Sequence, residues 1–320
     1  MEGPKVEDIK ISGFVLTTNA ITNQFPFTES IRSFLEICDE IVVVDGGSTD
    51  GTIEAIKKIK VYDGKVIRIV SDEDTKWEDV WSYSRMGHNF NRALQECTGD
   101  WVVKFDADYI LKEDCSLRFR KELLTASNNN DLSAAFTRAN FILADRYFVK
   151  SKKTLAVNIT GCKKAGMDVC YGVDLARWKW GFDFIDKKFE ENGLNCGIMV
   201  RKKDSCIITS TAVFNYDYMF MDIDTAKNAR FRHHRAVTIQ KNMKYVLNDV
   251  YPEIKVRDVT MDSAWKKYVH QITGNMNKFC VKLAVEQHPV IIQEKIKNLT
   301  KDKQGYDCWG LSNDKAEYYE

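Results

Sequence analysis

A chain of 320 residues is long enough for one large domain, or one domain with an extension. With 44% hydrophobic and 29% charged residues it has the proportions of a soluble globular protein, and 47 basic against 46 acidic residues leave a net charge of +1, which excludes a bulk electrostatic argument for nucleic acid or an anionic membrane. Nine cysteines, none in C-x-x-C spacing, exclude zinc ribbons and thioredoxin-like centres, and the absence of any run near ~18 apolar residues predicts no membrane span and a reducing, cytoplasmic location.

The first ~110 residues alternate between strand and helix patterns, as a parallel sheet covered by helices requires. "ISGFVLTTN" (11–19) is an apolar run closing on small polar residues. "FTESIRSFLEIC" (27–38) places Ile31, Phe34, Leu35 and Cys38 at helical spacing. "DEIVVVDGGSTDG" (39–51) is a β-branched strand ending on an acid and a turn, and "TIEAIKKIK" (52–60) is a second helix. "KVIRIVS" (65–71) gives a third strand, "MGHNFNRALQECTG" (86–99) a third helix, and "GDWVVKFDADY" (99–109) a strand that runs into two carboxylates. "CSLRFRKELLTA" is helical and "AAFTRANFIL" a strand, whereas 145–215 mixes short strands with basic loops. "TAVFNYDYMFM" (211–221) is a strand entering a loop, and helical patterns follow, the clearest over 262–287. The expected layout is an α/β domain over 1–225 and a mostly helical extension over 226–320.

Three places carry chemistry. Asp45 ends a buried strand, and in open α/β sheets ligands bind beyond the carboxyl ends of the strands. Gly46 and Gly47 would let backbone approach a ligand, and Ser48-Thr49-Asp50 can cap the next helix; the same residues also read as a well-made turn and nothing more. Asp106 and Asp108 are two apart, so in extended chain both carboxylates face one site, where like charges raise each other's pKa unless a cation intervenes. Oxygen-only ligation suits Mn²⁺ or Mg²⁺, which also accept phosphate oxygens. The pattern also occurs at Asp72-Glu73-Asp74 and Asp222-Ile223-Asp224, where solvated loop acids are the plainer reading. Arg85, Asn89 and Arg92 share one helix face, able to meet phosphate or ribose, or to be ordinary solvated polar groups.

Taken in order, "ISGFVLTTN", "DEIVVVDGGSTDGT" and "NFNRALQECTGDWVVKFDADYIL" resemble the family 2 glycosyltransferases, inverting enzymes that use nucleotide sugars, and within them the lipopolysaccharide-core and cell-wall types. The resemblance covers about residues 10–112. It implies the GT-A fold, a Rossmann-like, mostly parallel sheet flanked by helices, here with a helical C-terminal extension. It further implies that Thr17, Thr18 and Asn19 line the nucleobase and ribose pocket with Asp45 contacting the base, commonly uracil, beside Gly46. By the same resemblance Arg85 and Asn89 face the diphosphate, and Asp106 and Asp108 form the D-x-D motif, the second acid binding metal and the first leaning toward ribose or sugar. Gly46 stands where many relatives have a second acid or Ser.

The implied activity is metal-dependent transfer of a sugar, from a UDP-sugar before other donors, to a glycan, lipid or protein hydroxyl with inversion. Inversion needs a general base. No E-D pair occurs between 115 and 225; the candidates are Asp168, Asp174, Asp183, Asp186, Glu190 and Glu191, with Asp174 and Asp183 preferred. Asn215 stands where some relatives carry a metal-binding His, and Asp217 could substitute for it. Arg230, Arg232, His233, His234 and Arg235 form a basic cluster able to close over a diphosphate, or a solvated helix face. Two other readings remain: a GT-A-like binding module without catalysis, and a sugar-nucleotidyltransferase, for which "TTNAITNQF" lacks the Gly- and Arg-rich loop.

Overall fold

A computed structural model describes residues 9–62, 64–76, 83–143, 146–174, 179–186, 205–217, 219–222, 224–233, 260–266, 280–282 and 284–299. Strand and helix alternate through the first part of the chain: β1 (Ile11–Thr17), α1 (Phe27–Leu35), β2 (Glu40–Asp45), α2 (Thr52–Lys57), β3 (Val66–Val70), α3 (Tyr83–Glu96) and β4 (Trp101–Lys104). Then come β5 (Tyr109–Leu111), α4 (Ser116–Asn128), β6 (Ser133–Leu143), β7 (Arg146–Asn158), α5 (Ile159–Lys164), β8 (Met167–Asp174), β9 (Lys179–Asp186) and β10 (Ser205–Asn215). Later described elements are helical stretches α6 (224–233) and α7 (261–266), strand β11 (Cys280–Lys282), a 3₁₀ turn at Val285–Gln287, and α8 (Val290–Lys297).

The main sheet has the order β3-β2-β1-β4-β7-β6-β10-β5, with β11 on β7. Strands β3, β2, β1 and β4 are parallel, and beyond β4 the sheet is mixed: β4–β7, β7–β6, β10–β5 and β11–β7 are antiparallel, β6–β10 parallel. The mostly parallel expectation therefore describes one half of the sheet. Side chains alternate faces along a strand. Ile41 and Val43 of β2 accordingly enter a core with Ile31 and Phe34 of α1 and Phe119 of α4, while Val42 and Val44 join Phe90 and Ala93 of α3 on the other face. Burial on both faces is why β1 and β2 read as continuous apolar runs.

The "GDW" start of β4 is a structural joint. A Cβ on Gly99 would lie 2.6 Å from the Ser12 nitrogen and 2.7 Å from Ser12 Oγ, so no other residue fits without displacing β1. Asp100 accepts from Lys10 N–H at 3.1 Å and from the Thr160 hydroxyl at 2.7 Å, tying β1 to the start of α5.

One expectation changes. Of the helix expected over 262–287, the described residues show α-helix at 261–266 and a 3₁₀ turn at Val285–Gln287, Cys280–Lys282 is a strand paired with Phe148–Arg146, and 267–279 and 283 lie outside the described residues. A free β7 edge beyond the short β4 supplies a tertiary partner that local helical periodicity does not register. The C-terminal stretch also joins the core: Ile292 and Ile296 of α8 pack with Ile110, Phe141 and Tyr216.

Candidate functional site

The carboxyl ends of β1, β2 and β4 put Thr17, Asp45 and the Asp106–Asp108 segment along one edge of the sheet. β1 and β2 are in register to their last residues, Thr17 opposite Asp45. Asp45 is fully buried, and its own turn satisfies it: Oδ2 accepts from Gly47 N–H at 2.9 Å and Ser48 N–H at 2.7 Å, and Oδ1 accepts from the Ser48 hydroxyl and from Thr17 Oγ1 at 3.3 Å. Gly47 closes this turn at φ +88°, a conformation costly for other residues. Asn19, at φ +45°, stitches the neighbouring loop to the turn: its N–H donates to Ser48 Oγ and its side-chain oxygen accepts from Thr49 N–H, each at 2.8 Å. Thr18 donates to the Thr17 carbonyl at 2.6 Å.

Arg85 and Asn89 hold the loop after β3. Arg85 donates to the Asp74 carbonyl at 2.6 Å and Asn89 Nδ2 to the Thr75 carbonyl at 2.8 Å, while the Thr75 hydroxyl donates to the Asp45 carbonyl at 2.7 Å. Buried Asn89 Oδ1 has no partner among the described residues. Arg92 pairs with Glu96 at 2.8 Å and Asp72 at 3.7 Å, a partly exposed helix face. Asp222 caps α6 by accepting from Thr225 N–H at 2.8 Å and exchanges hydrogen bonds with Gln24. Through this joint Arg232 donates to Asn23 at 2.8 Å, so part of the basic cluster seen in the sequence lies against the β1–α1 loop. His234 and Arg235 lie outside the described residues.

The D-x-D segment is a turn, not extended chain, closed by Tyr109 N–H donating to the Asp106 carbonyl at 3.0 Å. It is clamped from three sides. Ser30 of α1 donates to the Asp106 carbonyl at 3.1 Å, Phe105 N–H donates to the Phe14 carbonyl at 3.1 Å, and Tyr216 N–H donates to the Asp108 carbonyl at 3.1 Å. Phe105 stacks on Phe34 with ring centroids 4.0 Å apart.

The two acids differ in surroundings. Asp106 forms an ion pair with buried Lys104, whose ammonium lies 5.0 Å from the Phe90 ring centroid. Burial works against ionisation of Asp106, but the charges of Lys104 and Lys153 overcome it and hold the carboxyl well below the usual carboxylate range. The first acid is thus neutralised by a salt bridge, which the spacing did not anticipate. Asp108 is 8% exposed, and burial together with the charges of Asp106 and Asp217 pushes its carboxyl well above that range. Asp217 reaches Asp108 because β10 pairs with β5 and delivers the chain after Asn215 to the turn. Asn215 itself donates to Asn140 Oδ1 at 2.8 Å.

Sequence reasoning missed the groups beyond β4. Arg138 of β6 donates to the buried Tyr109 hydroxyl with its guanidinium 5.7 Å from that ring's centroid, and Lys153 of β7 lies close enough to feel Asp106 and Asp108. Burial and the Lys104 ammonium draw Lys153 down to about 7. The one available signal was Lys104 itself, a cation inside an apolar strand two residues before an acid. Asp174 and Asp183 fall on the β8–β9 hairpin, opposite Lys179 and Cys170 in register, and their side chains lie outside the described residues. Of the other general-base candidates, Asp168 opens that hairpin opposite Ile185, Asp186 is described only in backbone, and Glu190 and Glu191 are outside the described residues.

These residues fit a divalent ion in one specific way. A buried carboxylate raised by two like-charged neighbours is relieved by a cation, and Mg²⁺-type ions commonly take one or two carboxylates with waters and substrate phosphates completing the shell. Asp108 with Asp217 matches that demand. Among the described residues no cluster of three or more His, Cys, Asp or Glu could hold an ion by protein ligands alone. Among them, too, no helix is long and apolar enough to cross a membrane.

Residues 26–131 match the model of glycosyl transferase family 2. An uncharacterized glycosyltransferase of Rickettsia conorii is 31% identical over 129 residues, 40% of this chain and 38% of the relative, so the chain spans well under half the length of that relative. Two solved structures are similar at lower levels. The mannosyltransferase PcManGT from Pyrobaculum calidifontis, in complex with GDP-Man and Mn²⁺, shows 12% identity over 97% of this chain and 83% of its own, with a TM-score of 0.39. S. aureus TarS 1-349, in complex with UDP, shows 13% identity over 97% and 89%, with a TM-score of 0.41. The matched stretch, residues 26–131, holds Asp45, Asp106 and Asp108, and over it the chain is similar to glycosyl transferase family 2.

Proposed function

We propose that this chain transfers a sugar from a nucleotide-diphosphate sugar, a UDP-sugar before other donors, to an acceptor hydroxyl with inversion at C1. The observation that carries this reading is Asp108, buried beside Asp106 and Asp217 at the strand ends where the family match and the β1 and β2 loops meet.

Asp108 and Asp217 would hold a Mn²⁺ or Mg²⁺ ion, with Asp106 beside them. When bound, such an ion neutralises charge developing on the departing diphosphate. The chain's own groups do the rest. Thr18, Asn19 and the Gly46–Ser48 turn form the wall that a base and ribose would meet. Buried Asp45 acts on the nucleotide through the turn that it holds in shape. Lys104 keeps Asp106 ionised and fixes it at the turn. A carboxylate of the β8–β9 hairpin, Asp174 or Asp183, takes the acceptor hydroxyl proton as that oxygen bonds C1; the C1–O bond to the diphosphate breaks and its electron pair leaves with the nucleotide. Glycan, lipid and protein hydroxyls all fit this chemistry as acceptors.

The test is a screen of UDP-, GDP- and dTDP-linked sugars for nucleotide release with Mn²⁺, with thermal-shift titration of the free nucleotides. UDP stabilisation that requires the metal, lost in Asp108→Asn, is expected. Equal stabilisation in EDTA, or full turnover in Asp108→Asn, would sink the assignment.

A further inference from the structure

Beyond the D-x-D turn, on the side of β4 away from β1 and β2, the sheet carries cations that the donor reading does not use. Sheet order places β7 and then β6 on that side. Their pairing puts Phe136 opposite Lys153, so Arg138 and Lys153 lie on adjacent strands beside the turn. Lys104 is committed to Asp106. Arg138 spends one N–H on the Tyr109 hydroxyl, a neutral acceptor, and its buried Nε–H has no partner among the described residues. Lys153 has no ion pair or hydrogen bond among the described residues.

A buried guanidinium donor without an acceptor is costly, and an arginine fork matches phosphate and carboxylate oxygens. Asp108, the nearest acid besides Asp106, lies with Asp217 and would be taken up by the ion. A nucleotide standing over the ends of β1 and β2 with its diphosphate at the turn leaves the β6–β7 side to the second substrate. We infer that Arg138 and Lys153 form an anion subsite for the acceptor, which carries a phosphate or carboxylate near the hydroxyl that receives the sugar. This rests on the transferase reading above and adds the acceptor's chemical class to it.

Sulfate serves as the anion probe, titrated at low millimolar concentration into protein already saturated with UDP and Mn²⁺, against chloride at matched ionic strength. A saturable thermal shift with sulfate and none with chloride is expected. Lys153→Gln and Arg138→Gln should abolish it with the UDP Kd within about twofold of wild type, and Lys153→Arg should keep it. The Lys153 variants preserve the test if Arg138→Gln unfolds, because Lys153 supports no hydrogen bond. In a second arm, hexose 6-phosphates and the parent hexoses are compared as stimulants of nucleotide release. Charge-assisted contacts predict a preference of at least tenfold in kcat/KM for the phosphates, collapsing in Lys153→Gln. The inference falls if UDP-loaded protein ignores sulfate, if the variants weaken UDP tenfold (the cations then serve the donor's own phosphates), or if only neutral hexoses stimulate release. Failure of wild type to bind UDP with Mn²⁺ would instead remove the transferase reading itself.

Discussion

Replacing Asp108 by Asn should stabilise the metal-free protein while removing its response to metal. Asp108 is 8% exposed, its carbonyl oxygen accepts from Tyr216 N–H, and its carboxyl is raised by burial, by Asp106 and by Asp217. A like charge at about 5 Å and an effective dielectric of ~20 costs about 3 kcal/mol. Asn has the same shape and no charge, and it forfeits part of the carboxylate's hydrogen bonding, so the net gain in EDTA near neutral pH should be about 1–3 kcal/mol. That corresponds to roughly 2–12 °C in Tm for a domain of this size.

The sign of the pH dependence follows from the direction of the shift. A carboxyl raised in the folded state burdens the fold most above its folded pKa, and the burden disappears as pH falls toward the unfolded value of about 3.9. The variant's advantage should therefore be largest at neutral pH and vanish near pH 4. Differential scanning fluorimetry of both proteins, across that pH range, with EDTA or with Mn²⁺ and UDP, reads all of this. Wild type should gain Tm with Mn²⁺ and UDP, and the variant should not. An Asp108→Asn protein less stable than wild type in EDTA at neutral pH would refute the charge-crowding argument.

Gly99→Ala places a Cβ 2.6 Å from the Ser12 nitrogen and should cost roughly 2–4 kcal/mol, or prevent soluble expression, as urea unfolding would show. Asp45→Ala leaves the Gly47 and Ser48 N–H donors without their acceptor and should lower stability by about 2–4 kcal/mol, along with loss of UDP binding by calorimetry. Glu40 is buried at the opposite end of the sheet, and hydrogen bonds from Ser12 and Thr98 outweigh the burial that would raise it, so its carboxyl is lowered. That contribution is present above the unfolded value of about 4.3 and fades as pH falls through the lower folded value; Glu40→Gln should cost about 1–2 kcal/mol at pH 7, and the difference from wild type should close below pH 4. Fully buried Cys38 has a thiol pushed up by burial, and Cys162, likewise buried, is pushed up to about 12, so neither should react with a thiol reagent until the protein unfolds.

Much of the first half was legible because local pattern and burial agree there. The runs in β1, β2 and β4 are apolar on both faces since helices cover both, and α1 shows helical spacing because one stripe of it meets the sheet. Asp45 and Asp106 lie at the carboxyl ends of β2 and β4, on either side of β1, as the strand patterns that precede them indicate. Beyond residue 115 the α4 helix, the β6 strand and the end of β10 were still legible, but the pairing and extent of β7 and β10 were not. The long pair β6–β7 carries irregular register, and β10 makes a bulge between Ile208 and Val213 that Glu122 holds by accepting from Thr209 and Ser210. Such irregularities break the period of two on which a strand is recognised.

Sequence by itself determined that two acids follow one buried strand and that a second buried strand ends on an acid, and that a short stretch of chain resembles a known family's motifs. Only the tertiary structure decided what surrounds each acid. Asp45 became a fully enclosed turn anchor. Asp106 found Lys104 from its own strand, and Asp108 met Asp217 from more than a hundred residues away. Arg138 and Lys153 entered the site because β6 and β7 pair beside β4. Which charges share a few ångströms depends on strand order and register, and no local spacing along the chain encodes either.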